Sequence, residues 1–254
     1  TMAAILLIQA LFFADGGLLS YGCNLFNLAF YTCFIAYPII YTPLAKKRQA
    51  HQAAIILTAV IGLQMGAFSV VLQTLFSGKT ELSFTTFVLL MQPIHLAIGI
   101  VEGLITAAIL AFVEQEAPQL LGSPRGPSSR ESNLLVPQKI LHKIMAVFVV
   151  ATLVTGGILS WFASAQPDGL EWSIEKTTGS AELEDESPVH SFFSSIQSAL
   201  APLPDYAFKE KGESEERWPA VDAGTTVSGL VGAFITFLIV LFAGFAVSKP
   251  DTKA

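Results

Sequence analysis

The chain has 254 residues, of which 52% are hydrophobic and only 13% charged, whereas a soluble domain carries about 25% charged residues. With a mean hydropathy of +0.59 and several apolar runs long enough to cross a bilayer, it reads as a polytopic membrane protein rather than a soluble domain. The net charge of −6 comes largely from one acidic loop, and no basic stripe with interleaved aromatics points to nucleic acid.

The chain opens at Thr1 inside an apolar run, without the charged and cleavable flanks of a signal peptide, which points to sequence upstream of it. Met2 to Phe13 reads as a first helix, short unless it continues upstream, and ends at the turn Ala14-Asp15-Gly16-Gly17. A second span covers Tyr21 to Tyr41, with Asn24 and Asn27 one turn apart near its start. Such amides cap, bridge helices or approach a ligand, and bridging is the commoner use. Cys23 and Cys33 lie ten residues apart in this run, or about 15 Å on a helix, so they cannot pair and are expected to be packing residues. Pro43 and Lys46-Lys47-Arg48 close the span.

A third span, Ala53 to Phe76, holds Gly62 and Gly66 at the spacing that lets helix backbones approach closely, together with Gln64 and Gln73. Gly78-Lys79-Thr80 resembles the tail of a phosphate-binding loop, but Gln73 stands where that loop needs its first glycine, so no nucleotide site is encoded there. Leu82 to Leu90 is expected to form a short apolar approach to the central helix, Met91 to Val113. That helix carries His95 and Glu102, the side chains lipid tolerates least, beside Gly99 and Gly103. Ionisable groups at membrane depth are costly and usually face protein. The helix is therefore expected to be buried with this pair turned inward, for function or simply to bond neighbouring helices.

Glu114 to Gln138 is rich in Pro, Ser, Gly and charge and reads as a linker. A fifth span follows over Ile140 to Phe162. Ala163 to Val221 forms a hydrophilic loop whose acidic run Glu182-Leu183-Glu184-Asp185-Glu186 reads as solvated surface rather than a metal collector. Tyr206, Phe208 and the tryptophans argue that parts of this loop fold onto something. The last span is Thr225 to Val247. The fold class is thus an all-α transmembrane bundle of about six spans with one hydrophilic extracytoplasmic loop. Lys46-Lys47-Arg48, then Arg125, Arg130, Lys139 and Lys143, then Lys249 and Lys253 all fall on one side of it. The bias of basic residues makes that side cytoplasmic, with the linker and C-terminus inside and the acidic loop outside.

His95 and Glu102 are seven residues apart, about 10.5 Å along a straight helix, while ligands to zinc-like ions sit about 2 Å from the metal. At most one of them binds an ion directly, and the other supports or bridges. No HExxH, CxxC or His-x-His spacing occurs, nor a G-x-S-x-G elbow. An intramembrane aspartyl protease is excluded because no aspartate lies mid-span. His51, His142 and His190 fall at helix ends or in the outer loop, where capping or surface roles are commoner. The residues alone stop at a transporter-like or receptor-like bundle with a polar interior.

Three stretches together resemble one family. Gln9-Ala10-Leu11-Phe12-Phe13-Ala14-Asp15-Gly16-Gly17-Leu18 with Gly22-Cys23-Asn24-Leu25-Phe26-Asn27 is similar to the middle of the CbiM/NikM family, the membrane substrate-capture subunit of cobalt/nickel energy-coupling-factor transporters. His95-Leu96-Ala97-Ile98-Gly99-Ile100-Val101-Glu102-Gly103-Leu104-Ile105-Thr106 resembles that family's late helix. Pro167-Asp168-Gly169-Leu170-Glu171, with Pro204-Asp205-Tyr206, resembles the PDGLE domain, similar in turn to the small CbiN/NikN-like accessory subunit. The implied division is a metal-capture bundle over residues 1–116, a cytoplasmic linker over 117–138 and a PDGLE domain over 139–250.

The resemblance implies capture of Co2+ or Ni2+ outside a prokaryotic plasma membrane and delivery inward. It implies partners too, a CbiQ/NikQ-like coupling subunit and a CbiO/NikO-like pair of cytoplasmic ATPases, so this chain would be no enzyme and hold no resident cofactor. In the family the metal is held mainly by the extreme N-terminus and a histidine upstream of the stretch where this chain begins. Thr1-Met2-Ala3 matches no such start, so the chain as given is expected not to bind these ions tightly. His95 is then the remaining metal candidate, as a weak or supporting ligand, with Asp15, Asn24, Asn27 and Glu102 as hydrogen-bonding supports. The competing expectation is a metal-independent secondary transporter or structural bundle.

Overall fold

The computed structural model describes residues 1–46, 50–78, 83–121, 136–163, 169–179, 187–208, 219 and 221–247. Every regular element among them is helical: α1 (Met2–Phe12), α2 (Tyr21–Ala45), α3 (His51–Ser77), α4 (Phe84–Glu116), α5 (Gln138–Gly157), α6 (Gly169–Thr178), α7 (Pro188–Leu200) and α8 (Ala223–Val247). Helices α2, α3, α4 and α8, and α5 with the tight turn Leu159–Phe162 that follows it, are long and apolar enough to cross a membrane. The remaining apolar helix, α1, has 11 residues, about 16 Å against a hydrocarbon core of about 30 Å.

Large apolar side chains point outward along these helices, among them Phe34, Phe76, Phe242 and Val247 at 70–81% exposure. Water would not tolerate so much apolar surface, and a bilayer requires it.

The described residues fall into two compact units. One draws on Phe26–Phe148 and Gln166–Glu184. Its centre is the packing of α3 against α2 and α4, and small residues decide where the backbones meet. A Cβ on Gly66 would lie 2.4 Å from the Asn27 carbonyl oxygen, and one on Gly62 would lie 3.3 Å from Thr32 Oγ1. On the other side of α3, a Cβ on Gly99 or Gly103 would meet the Cα of Val60 at 3.0 Å or of Ile56 at 2.9 Å. Those contacts are the close approaches that the two Gly-xxx-Gly spacings predict. Beside them, Ala67, Val71, Phe87 and Met91 form a buried cluster onto which Leu170 and Ile174 of α6 pack.

The other unit draws on Thr1–Leu25, Val149–Ala165 and Asp185–Ala254. In it Gly156 and Gly229 touch backbone to backbone. Trp161 Nε1–H donates to Thr226 Oγ1 at 2.8 Å, and Thr226 in turn donates to the Gly157 carbonyl at 3.0 Å. A second cluster, Ile8, Phe13 and Leu203, gathers Tyr206, Val227 and Ile235 around it.

Several expectations are corrected. The approach segment and the central helix are one 33-residue helix with Pro93 inside it. Proline removes one backbone bond, which transmembrane helices tolerate because neighbours satisfy the freed carbonyl. In α2, residues Phe26–Tyr41 wind with wide five-residue turns around Pro38, a rare winding. Cys23 and Cys33 are free and exposed, not packed, because Asn27 and Ala36 occupy the buried side of α2. The hydrophilic loop contains two helices, α6 and α7. Lys47, Arg48, Lys79, Thr80, Arg125, Arg130, Pro167, Asp168, Glu182-Leu183-Glu184-Asp185-Glu186, Trp218, Lys249 and Lys253 lie outside the described residues.

Candidate functional site

His95 sits on α4 one turn after Met91, and its Nδ1 lies 2.8 Å from the Met91 carbonyl oxygen. A carbonyl only accepts, so the proton on this bond belongs to Nδ1, and Nε2 is the ring nitrogen left to offer a lone pair, the arrangement common in metal-binding histidines. The ring is half-buried because α6 begins on top of it. A Cβ on Gly169 would come within 3.1 Å of His95 Cε1 and 3.0 Å of Ile94 Cγ2. Glycine is therefore the residue that lets the backbone rest on the edge of the imidazole. The start of α6 is held there from two directions. Leu170 and Ile174, one turn apart, enter the Phe87–Met91 cluster, and buried Ser173 donates to the Gly169 carbonyl at 2.7 Å.

Asn27 is buried and exchanges hydrogen bonds with Gln73, Nδ2 to Oε1 at 3.0 Å and Nε2 to Oδ1 at 2.9 Å. Both amides are thereby spent on tying α2 to α3, the helix-bridging use. Glu102 differs from expectation: it is exposed and makes no hydrogen bond or ion pair among the described residues. Seven residues on a helix return nearly to the same face, but α6 begins beside Ile94 and His95, while Gly99 and Gly103 carry the contact with α3. The expected inward pair is thus only half present.

Asp15 and Asn24 belong to the other unit and converge on one turn. Asn24 Nδ2 donates to the Gly16 carbonyl at 2.6 Å, and Ser20 Oγ donates to the carbonyls of Gly16 and Gly17. Asp15 Oδ2 accepts a short bond from the Tyr206 hydroxyl and a longer one, 3.4 Å, from Gln9 Nε2. Burial and the Asp15 carboxylate both push the Tyr206 hydroxyl above its ordinary value, so it remains a donor at any physiological pH.

His51 Nε2 lies 3.8 Å from Glu114 Oε2, and α7 is capped by Ser187, which accepts from the His190 backbone N–H at 3.2 Å. Among the described residues no group of three or more His, Cys, Asp or Glu could hold a metal ion. Sequence reasoning did not single out Gln9 or Gly169 as site residues. Both stand inside quoted motifs, Gln9 opening the Q-A-L-F-F-A-D-G-G stretch and Gly169 at the centre of P-D-G-L-E.

Residues 1–120 match the model of the cobalt uptake substrate-specific transmembrane region, and residues 142–249 match that of the PDGLE domain. The chain is 27% identical over 250 residues to a protein of Archaeoglobus fulgidus provisionally named as a fused nickel transport protein NikMN. That alignment covers 98% of this chain and 70% of the relative. It is 31% identical over 121 residues to a protein of Haloquadratum walsbyi provisionally named as a metal transport protein, covering 47% of this chain and 54% of the relative. A fused nickel transport protein NikMN of Rhodobacter capsulatus is 28% identical over 149 residues, covering 52% of this chain and 43% of the relative. The chain thus spans about half or less of the length of the latter two. No solved structure matches it.

Proposed function

The chain joins a CbiM/NikM-like transmembrane region to a PDGLE domain, and from that premise we propose that it serves the capture of Co2+ or Ni2+ by an ATP-driven importer. In this reading it is the substrate-binding component of an energy-coupling-factor complex in a prokaryotic plasma membrane. A coupling subunit and a cytoplasmic ATPase pair supply the energy, and the acidic loop faces outward. The ion is cargo and not a resident cofactor.

One observation carries the reading for this chain's own residues. His95 Nδ1 is engaged by the Met91 carbonyl, which leaves Nε2 as the nitrogen to offer, beneath the glycine of the P-D-G-L-E motif. Asn27 serves as a helix tie that fixes α2 against α3, and Asp15 and Asn24 fix the Asp15–Gly17 turn. Glu102, exposed on α4, is left for a surface that another protein covers, since lipid disfavours an uncovered carboxylate.

The test is uptake of radiolabelled nickel or cobalt by cells expressing the full-length protein with and without the coupling subunit and ATPases. Uptake that needs both partners and ATP is expected. Uptake by this protein without them would overturn the ATP-driven reading, and no uptake above that of cells lacking the protein would favour the metal-independent bundle.

Gly169→Val in the same protein should lower uptake about tenfold, the scale seen when a group that orients a ligand is disturbed, and Gly169→Ala should be milder. Normal uptake with valine at that position would separate the PDGLE helix from the histidine.

A further inference from the structure

Tyr206, of the Pro204-Asp205-Tyr206 motif, gathers polar and aromatic contacts with α1 and the turn after it, all within one compact unit. The Tyr206 hydroxyl donates to Asp15 Oδ2 and accepts from Gln9 Nε2 at 3.4 Å. Its ring stacks on Phe13 with centroids 4.8 Å apart. The backbones lock as well: Leu203 N–H donates to the Phe12 carbonyl at 3.2 Å, and Asp205 N–H to the Phe13 carbonyl at 2.9 Å. Ser228 Oγ of α8 donates to the Tyr206 carbonyl at 3.1 Å, and Leu18 N–H donates to buried Gln197 Oε1 of α7 at 2.8 Å. Ala14, Asp205 and Tyr206 all hold a left-handed backbone, with φ of 55°, 50° and 60°. A bulky residue adopts that conformation only where its surroundings impose it.

We propose that the Pro204–Tyr206 turn is a latch by which the PDGLE domain docks on the Ala14–Gly17 turn of the transmembrane region, with Tyr206 as the positioning residue. Each side supplies what the other lacks. The end of α1 leaves the carbonyls of Phe12 and Phe13 to be bonded from outside, and the amides of Leu203 and Asp205 meet them. Asp15 at a helix end needs a donor, and Tyr206 brings one through an apolar patch made by Phe13 and Leu203. The turn that carries Asp15 and holds Asn24 is then shaped by the PDGLE domain and not by the transmembrane region alone. The latch stands whether or not the chain carries nickel or cobalt, because it rests on this contact and not on the metal reading.

Amide hydrogen exchange on the full chain in lipid nanodiscs tests it. Tyr206→Phe keeps the ring on Phe13 and removes only the hydroxyl. The amides of Asp15 and Asp205 should then exchange at least about tenfold faster, the lower end for losing one bond to a charged acceptor. Tyr37→Phe, on an exposed ring of α2, should leave them unchanged. Asp15→Ala gives a second readout: the alkaline absorbance step lost in Tyr206→Phe should move to lower pH when Asp15 is removed. Unchanged exchange at Asp15 and Asp205 in Tyr206→Phe would overturn the latch, as would an absorbance step indifferent to Asp15.

Discussion

Replacing His95 with alanine should lower metal uptake by the full-length protein about 10- to 100-fold while leaving its level in the membrane near normal. The magnitude is that of removing a supporting or ligand-orienting group at a metal site. The fold should survive because the ring is half-buried and its one described bond is to a carbonyl on its own helix. Losing that bond costs the helix little, since the Met91 carbonyl can still accept within α4. His95→Gln should recover little, because an amide cannot present a ring nitrogen lone pair at the same place. Transport assays scaled to immunoblotted protein check this. Uptake within twofold of normal would make His95 a packing residue under α6 and nothing more.

Gly66→Val should have the largest effect on stability. Its Cβ would fall 2.4 Å from the Asn27 carbonyl oxygen and 3.3 Å from the carbonyl carbon, and backbone cannot swing aside as a side chain can. The α2–α3 crossing has to open, and that parts the reciprocal Asn27–Gln73 amides. Overpacking costs about 1–3 kcal/mol, and a buried amide left unpaired costs about 1–3 kcal/mol more. The variant is therefore expected to unfold or aggregate well below the wild type when heated in detergent, as read by size-exclusion chromatography. Gln73→Leu, which breaks the amide pair without forcing the crossing apart, should fall between the two. A wild-type melting profile for Gly66→Val would mean that the close crossing is not part of the folded protein.

These results bear on how far the residues alone disclose the molecule. The spanning helices were legible because each is a long apolar run, and the two Gly-xxx-Gly spacings marked the crossings where α3 meets α2 and α4. Asn27 as a bridging amide was legible for the same reason, since a polar group in an apolar helix needs a partner. Its partner Gln73 was visible in the apolar run of α3, but the pairing depends on the α2–α3 register, which no local pattern encodes. Glu102 was misread because helical spacing tells which residues share a face and not how far along it a neighbouring helix reaches. α6 begins at His95, so two residues on one stripe have different surroundings. The PDGLE segments read as a hydrophilic loop because their composition is polar, and Tyr206, Phe208 and the tryptophans marked only that parts of it dock, not where. Their anchoring rests on a few residues, Gly169, Leu170, Ile174 and Tyr206, whose docking partners lie far away in sequence.

The central claim is that His95, its Nδ1 held by the Met91 carbonyl and its Nε2 offered beneath the PDGLE helix, meets the transported ion. Nitrogen NMR on full-length protein carrying isotope-labelled histidine tests it most directly, with His95 assigned from the signal lost in His95→Gln. Before metal is added, the His95 signals should show the proton on Nδ1. One equivalent of paramagnetic Co2+ should then broaden them beyond detection while those of His142 and His190 persist. A His95 signal that stays sharp with Co2+ bound elsewhere, or a proton found on Nε2, would contradict the account.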